Sequence, residues 1–336
     1  MTAPVRGTLH LSLRWGAGLS DDVIYPIAGK RVWVAGHGGM VGSALARRLA
    51  QEACEILVAP RPDLDLTKQA EVDRWMARHR PDAIFIAAAK VGGIAANTAS
   101  PVDFLYNNLM IAANILSAAH NAGVERLLLL GSSCVYPKHS PQPIPEAALL
   151  TGPLEPTNEW YAIAKIAGLK LALAYRTQYG DDFISAMPTN LYGSDDNFDL
   201  KTSHVLPALL RKAHEAKAAR SPEMVVWGTG APLREFLHVD DCADALVFLM
   251  QRYSGDEHVN VGSGEDLPIF ELAKVVADVV GFEGTVRFDS TQPDGTPRKL
   301  MSGEKLRAMG WRPRIGLREG IEAAYRWFLE VGAQTT

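Results

Sequence analysis

The sequence predicts an α/β fold, a doubly wound parallel sheet with a smaller C-terminal α/β lobe. Three observations carry the prediction. Short apolar runs recur through the first 190 residues, each followed by a stretch with helical spacing. The first run ends in a cluster of glycines. Beyond Pro188 the alternation gives way to loop-rich sequence. Strands buried on both faces read as continuous apolar runs, and parallel strands need crossovers that are usually helical.

Residues 31–35 (Arg-Val-Trp-Val-Ala) form the first strand, because an apolar run feeding a tight turn reads as a buried strand. Over 41–51, Val41, Leu45 and Leu49 recur every fourth residue and so share one helical face. The run 55–59 makes the second strand, a helix follows around 70–78, and 83–87 make the third strand. A helix over 104–122 leads into the fourth strand at 126–130. The long helix 161–179 carries apolar residues on more than one face, and 183–187 make the fifth strand. Between Tyr192 and Leu237 one helix is expected, at 205–218. His238 to Leu246 reads as a loop entering a helix, and 258–262 as one more strand returning to the sheet. From about Pro268, helix, short strand and loop alternate. The expected organisation is therefore a tail over 1–26, a sheet domain over 27–190 to which 235–262 return, and a lobe built from 191–234 and 263–336. The full length of 336 residues suits two such coupled parts.

Composition narrows the function classes. With 47% hydrophobic and 21% charged residues, the chain can bury a sizeable core. Its net charge of −4, with both signs mixed, predicts neither a nucleic-acid surface nor a polybasic membrane patch. An anionic substrate would need a local basic pocket. Cys54, Cys134 and Cys242 are odd in number and widely spaced, which suggests no disulfide framework and no metal site. A reducing compartment is the natural reading, with the cytoplasm as the default location. No apolar run approaches the roughly 18–20 residues of a membrane span, and residues 1–26 lack a signal-peptide core.

The glycine cluster is Gly36-His37-Gly38-Gly39-Met40-Val41-Gly42, directly after a strand and opening a helix. Glycines permit the tight turn and close backbone approach to a pyrophosphate, and the positive helix end favours the anion. This context points to a Rossmann-type dinucleotide site. At the end of the second strand an NAD site usually carries an acidic residue for the ribose diol. Here the sequence is Ala59-Pro60-Arg61-Pro62. Arg61 suits a 2′-phosphate, so NADPH/NADP is favoured, although a solvated surface arginine is the alternative. Asp65 and Leu66 lie where such folds cover the adenine, and Ala88 offers a small side chain where the adenosine half must pass.

Tyr161 and Lys165 form a YxxxK pair on one helical face. A free tyrosine has a pKa near ~10, and a neighbouring ammonium is expected to lower it so that the pair relays a proton to a carbonyl receiving hydride. Ser132, after the fourth strand, stands at the sheet edge where open α/β sheets bind ligands. Glycine cluster, serine and YxxxK in this order point to a hydride-transferring enzyme. Cys134 lies two residues beyond Ser132; packing is the commoner role of such a cysteine. His204 precedes a helix and reads first as a surface or capping histidine. A Cys/His pair could nonetheless supply the base and acid needed to invert a carbon beside a ketone.

The stretches 34–44, 87–94, 130–138, 155–168, 187–193, 203–211, 234–241 and 293–299 resemble the GDP-L-fucose synthase family, extended short-chain dehydrogenases also called GDP-4-keto-6-deoxy-D-mannose 3,5-epimerase-4-reductases. The resemblance spans about residues 30–330. It implies that Ser132, Tyr161 and Lys165 are the reductase triad, with Lys165 also touching the nicotinamide ribose. It implies that Cys134 and His204 invert C3 and C5 of the keto sugar. Pro188, Thr189, Asn190 and Leu191 would pass beside the cofactor, with His204 near it. Lys212, Trp227, Arg234 and Asp294 would hold the GDP part of the substrate. One departure stands out: the family usually has arginine where this chain has Gly38, which should weaken NADP binding or relax the preference towards NAD. The rivals are another NAD(P)-dependent sugar-nucleotide epimerase or dehydratase, and a non-catalytic dinucleotide sensor. Helices 104–122 and 161–179 could pair with a second copy, so a homodimer is expected.

Overall fold

Four of the five residues of the first strand, Val32 to Ala35, are fully buried, and they sit second from one end of a parallel sheet. The computed structural model describes residues 23–331, Pro293 excepted. The first half alternates β1 (Arg31–Ala35), α1 (Met40–Leu49), β2 (Glu55–Leu57), α2 (Gln69–His79) and β3 (Ala83–Ile86). It continues with α3 (Ile94–Ala99), α4 (Pro101–Ala122), β4 (Arg126–Leu130), α5 (Glu159–Tyr179) and β5 (Phe183–Pro188). Then follow β6 (Asn190–Tyr192), α6 (Val205–Ala218), β7 (Glu223–Trp227), β8 (Leu233–His238), α7 (Val239–Arg252) and β9 (Val259–Val261). The chain ends with β10 (Asp266–Pro268), α8 (Ile269–Val280), β11 (Thr285–Asp289), β12 (Arg298–Lys299), α9 (Glu304–Ala308) and α10 (Leu317–Glu330).

The main sheet has the order β2-β1-β3-β4-β5-β9, with every neighbouring pair parallel. The expected doubly wound sheet is borne out. One face is covered by α1 and α7, the other by α2, α4 and α5. Strand order reverses at β1 and β3, so the ligand crevice lies beyond their C-terminal ends. A third core joins α6, α8 and α10 over a small sheet of β10, β8, β12 and β6.

Some boundaries differ from expectation, for physical reasons. β2 stops at Leu57 instead of 59, as the chain approaches Pro60 and its exposed loop. α4 starts three residues early because Pro101 fits the first helical turn. Of the expected return over 235–262, α7 and β9 join the main sheet domain; β8 pairs within the lobe's sheet, while its Leu237 packs into the main core. Conversely Leu306, Met309 and Trp311, expected in the lobe, pack into the core beneath α1 and α7. Of the expected tail, residues 1–22 lie outside the described residues. Ile24 and Tyr25 are tied down, both amides donating to the Gln251 carbonyl at 2.9 and 3.1 Å.

Candidate active site

The chain leaves β1 at Gly36, whose φ of +92° favours glycine. A Cβ there would come within 2.6 Å of the Ala88 backbone, so the turn presses against the end of β3. A Cβ on Gly42 would run into the Gly36 carbonyl. Gly38 and Gly39 differ: both are exposed, and a Cβ on Gly38 meets nothing within 4 Å. Gly39 caps α1 with no side-chain hydrogen bond, and the first turn holds no acidic residue. Its amides are therefore open to an anion. Met40 and Val41 pack partly into the sheet core, and the His37 carbonyl accepts from Ser43 Oγ at 3.0 Å. Two close-packed glycines beneath two open ones make a cradle that fits a pyrophosphate.

Arg61 is exposed on the loop after β2, with no hydrogen bond or ion pair to the described residues. Its charge acts on Asp65 and helps hold that carboxyl below the usual range, after the larger effect of hydrogen bonds from Thr67. Asp65 Oδ1 accepts from the Thr67 amide and hydroxyl at 3.0 and 2.7 Å, so it shapes the loop. The Leu66 carbonyl accepts from Asn114 Nδ2 at 3.0 Å.

At the C-terminal end of β4, Ser132 caps the short 3-10 turn Ser133–Val135, its Oγ accepting from the Cys134 amide at 3.3 Å. Tyr161 and Lys165 come from the start of α5 and face this turn. Ser132 is the polar side chain that acts on the Tyr161 phenol. Lys165 Nζ donates to the Leu130 carbonyl at 2.7 Å and stands 5.8 Å from the centre of the Tyr161 ring. Burial pushes Tyr161 well above its usual value, Cys134 adds to the rise, and the Ser132 hydroxyl opposes it. Burial pushes Lys165 down to about 8. The expected lowering of Tyr161 by the ammonium is thus overridden, because desolvation of a phenolate at this depth is the larger effect. Tyr161 stands as a protonated donor at neutral pH.

Cys134 is half-buried in the same cleft. Its sulfur accepts from Asn158 Nδ2 at 3.2 Å and faces Lys299 Nζ at 3.7 Å. His204 occupies the N-cap position of α6 but makes no capping bond, so the capping role considered for it is not taken up. The residue is exposed, yet surrounding protein, and then the charge of Lys299, hold its imidazole below the ordinary histidine range. Lys299 therefore faces Cys134, and its charge is also felt at His204. Neither Lys299 nor Asn158 stood out in the sequence: Lys299 lies on β12, far along the chain, and Asn158 reads as a helix-start residue.

Pro188 ends β5 and carries the chain across to the lobe. Thr189 is buried, its amide donating to the Val261 carbonyl at 3.0 Å, and Asn190 Nδ2 donates to the Glu235 carbonyl at 2.8 Å. Leu191 follows within β6. Four more residues of the lobe are linked to one another. Lys212 Nζ lies 5.4 Å from the centre of the Trp227 ring, which is 64% exposed and so free to stack. Asp294 accepts from the Thr229 amide and hydroxyl, each at 2.7 Å, and its charge acts on Arg234. Burial holds both Lys212 and Arg234 below their usual values. Partly desolvated cations beside an open indole suit an anionic ligand with a flat group. Among the described residues no cluster could hold a metal ion, and no helix is long and apolar enough to cross a membrane.

Residues 32–262 match the NAD dependent epimerase/dehydratase family. The chain is 59% identical to a GDP-L-fucose synthase of Sinorhizobium fredii over 91% of its length and 98% of the relative's. It is 51% identical to the GDP-L-fucose synthase of Escherichia coli K12, covering 90% and 97%. Among solved structures it resembles a GDP-L-fucose synthetase from Naegleria fowleri bound to NADP, at 30% identity and a TM-score of 0.86, covering 94% and 97%.

Proposed function

The chain belongs to the NAD dependent epimerase/dehydratase family and, within it, to the GDP-L-fucose synthases, and from that premise we propose that it converts GDP-4-keto-6-deoxy-D-mannose to GDP-L-fucose with NADPH. The observation that carries the reading is the position of Cys134. It stands one short turn from Ser132 and Tyr161, with Lys299 facing the sulfur and its charge also felt at His204. One cleft thus holds a proton-transfer pair beside a carbonyl-reducing group.

The C4 ketone acidifies the C–H bonds at C3 and C5. Ser132 and Tyr161 hold O4 and stabilise the enolate that forms when a proton leaves. Cys134 and His204 take a proton from one face of the ring and return one to the other, inverting both carbons. NADPH, when bound in the glycine cradle with Lys165 against its nicotinamide ribose, supplies the hydride for C4. Tyr161, kept protonated by burial, gives its proton to O4, and the Lys165 ammonium stabilises the phenolate left behind. Trp227, Lys212, Arg234 and Asp294 hold the GDP. Arg61 meets the 2′-phosphate, and Pro188 to Leu191, with His204, line the nicotinamide end.

We further propose a homodimer working in the cytoplasm. Helices α4 and α5 lie side by side and expose Val102, Tyr106, Trp160 and Ile163 near their N-terminal ends, apolar surface suited to a second copy. The three cysteines are free, which suits a reducing compartment.

The test is to mix the purified protein with the keto sugar nucleotide and NADPH, and to identify the product. GDP-L-fucose is expected. GDP-rhamnose would mean reduction without epimerisation, and no NADPH consumption would contradict the assignment altogether.

A further inference from the structure

Asn158 occupies the N-cap position of α5, where an asparagine ordinarily turns its carbonyl oxygen onto the helix's own amides. Here it makes no capping bond. Its Nδ2 instead donates to the Cys134 sulfur at 3.2 Å, while its Oδ1 is buried with no hydrogen-bond partner among the described residues. The capping contribution is therefore forgone. The helix start is turned to another use, against a sulfur that also faces the Lys299 ammonium at 3.7 Å.

From this geometry we infer that Asn158 is a positioning residue that holds the Cys134 sulfur as a proton acceptor pointed into the cleft. An amide N–H directed at sulfur engages a sulfur lone pair, because it can only donate, and it stabilises negative charge as it develops there. It also fixes the direction of the sulfur lone pair, whereas Lys299, on a flexible stem, supplies charge with little direction. When a C–H bond of the sugar breaks, the proton passes to sulfur and the electron pair to the enolate at O4. The Asn158 bond weakens as the sulfur is protonated, which helps return the proton. The inference rests on the reading of Cys134 as an acid/base group.

The test is the rate at which iodoacetamide labels Cys134 in the full-length protein with NADP added, followed by mass spectrometry of the Cys134 peptide so that Cys54 and Cys242 are scored separately. In Asn158→Ala the rate near pH 7 is expected to fall about tenfold, the scale of a hydrogen bond to a charged group. Near pH 9.5, where a free thiol is largely ionised, the rate should stay within about twofold of wild type. The isosteric Asn158→Asp, which adds a negative charge and removes the donor, should label more slowly still at pH 7. It carries the test if the alanine variant folds poorly. Wild-type labelling at pH 7 in these variants, or an equal loss at both pH values, would overturn the inference. Deuterium exchange into the sugar by Cys134→Ser tests the underlying reading separately: unimpaired exchange removes the base role but leaves the labelling result standing.

Discussion

The ammonium of Lys299 lies 3.7 Å from the sulfur of Cys134, and its charge also lowers the pKa of His204. These two residues are separated by 165 positions in the chain, and β12 brings them together by pairing with β8. Replacing Lys299 by methionine should slow deuterium exchange at C3 and C5 by about tenfold or more, the scale of one charged hydrogen bond. The pH profile should also change in a defined direction. Burial holds His204 down, and Lys299 adds to this. Removing the charge lets the value rise, so the acid limb of exchange moves to higher pH in Lys299→Met. An unchanged limb would separate Lys299 from His204.

Lys165 gives the alkaline limb. With its value pushed down to about 8, the ammonium is lost as pH rises through that value, and the phenolate of Tyr161 loses its neighbouring charge. The kcat for NADPH oxidation is expected to decline above about pH 8. In Lys165→Arg, whose charge persists, the remaining activity should show no limb there.

Gly38 is exposed, and a side chain there meets nothing within 4 Å. Gly38→Arg should therefore be accepted without disturbing the fold and should add a cation beside Arg61. The KM for NADPH is expected to fall severalfold while that for NADH stays the same. A fall for both cofactors alike would mean that the added charge acts on the pyrophosphate and not on the 2′-phosphate.

Trp227 is exposed beside Lys212 and carries no hydrogen bond that fixes it elsewhere among the described residues. Trp227→Ala should raise KM for the GDP-sugar about tenfold, within the range measured for base–aromatic stacking, with kcat little changed. An unchanged KM would remove Trp227 from the binding site.

Much of the fold was legible because its strands are apolar on both faces: β1 and β4 occupy the residues expected of them, and α6 runs over 205–218 as its spacing predicts. The lobe was less legible. β6, β10 and β12 are two or three residues long, too short for periodicity, and β8 has no strand expected at its position, only the return of 235–262 to the main sheet. The site divides the same way. Gly36, Ser132, Tyr161 and Lys165 sit on elements whose order is local and readable. The link from Cys134 through Lys299 to His204 depends on tertiary proximity, which spacing does not encode. The Tyr161 shift runs opposite to the sequence expectation because the sequence displays the neighbouring charge and hides the depth of burial.

The most direct test of the proposal that one cleft both epimerises and reduces is the reaction run in D2O with NADPH, with the product read by NMR. The account predicts GDP-L-fucose carrying deuterium at both C3 and C5, and loss of that label in the residual product of Cys134→Ser. A reduced product with no deuterium at either carbon would show hydride transfer without proton exchange, and would contradict it.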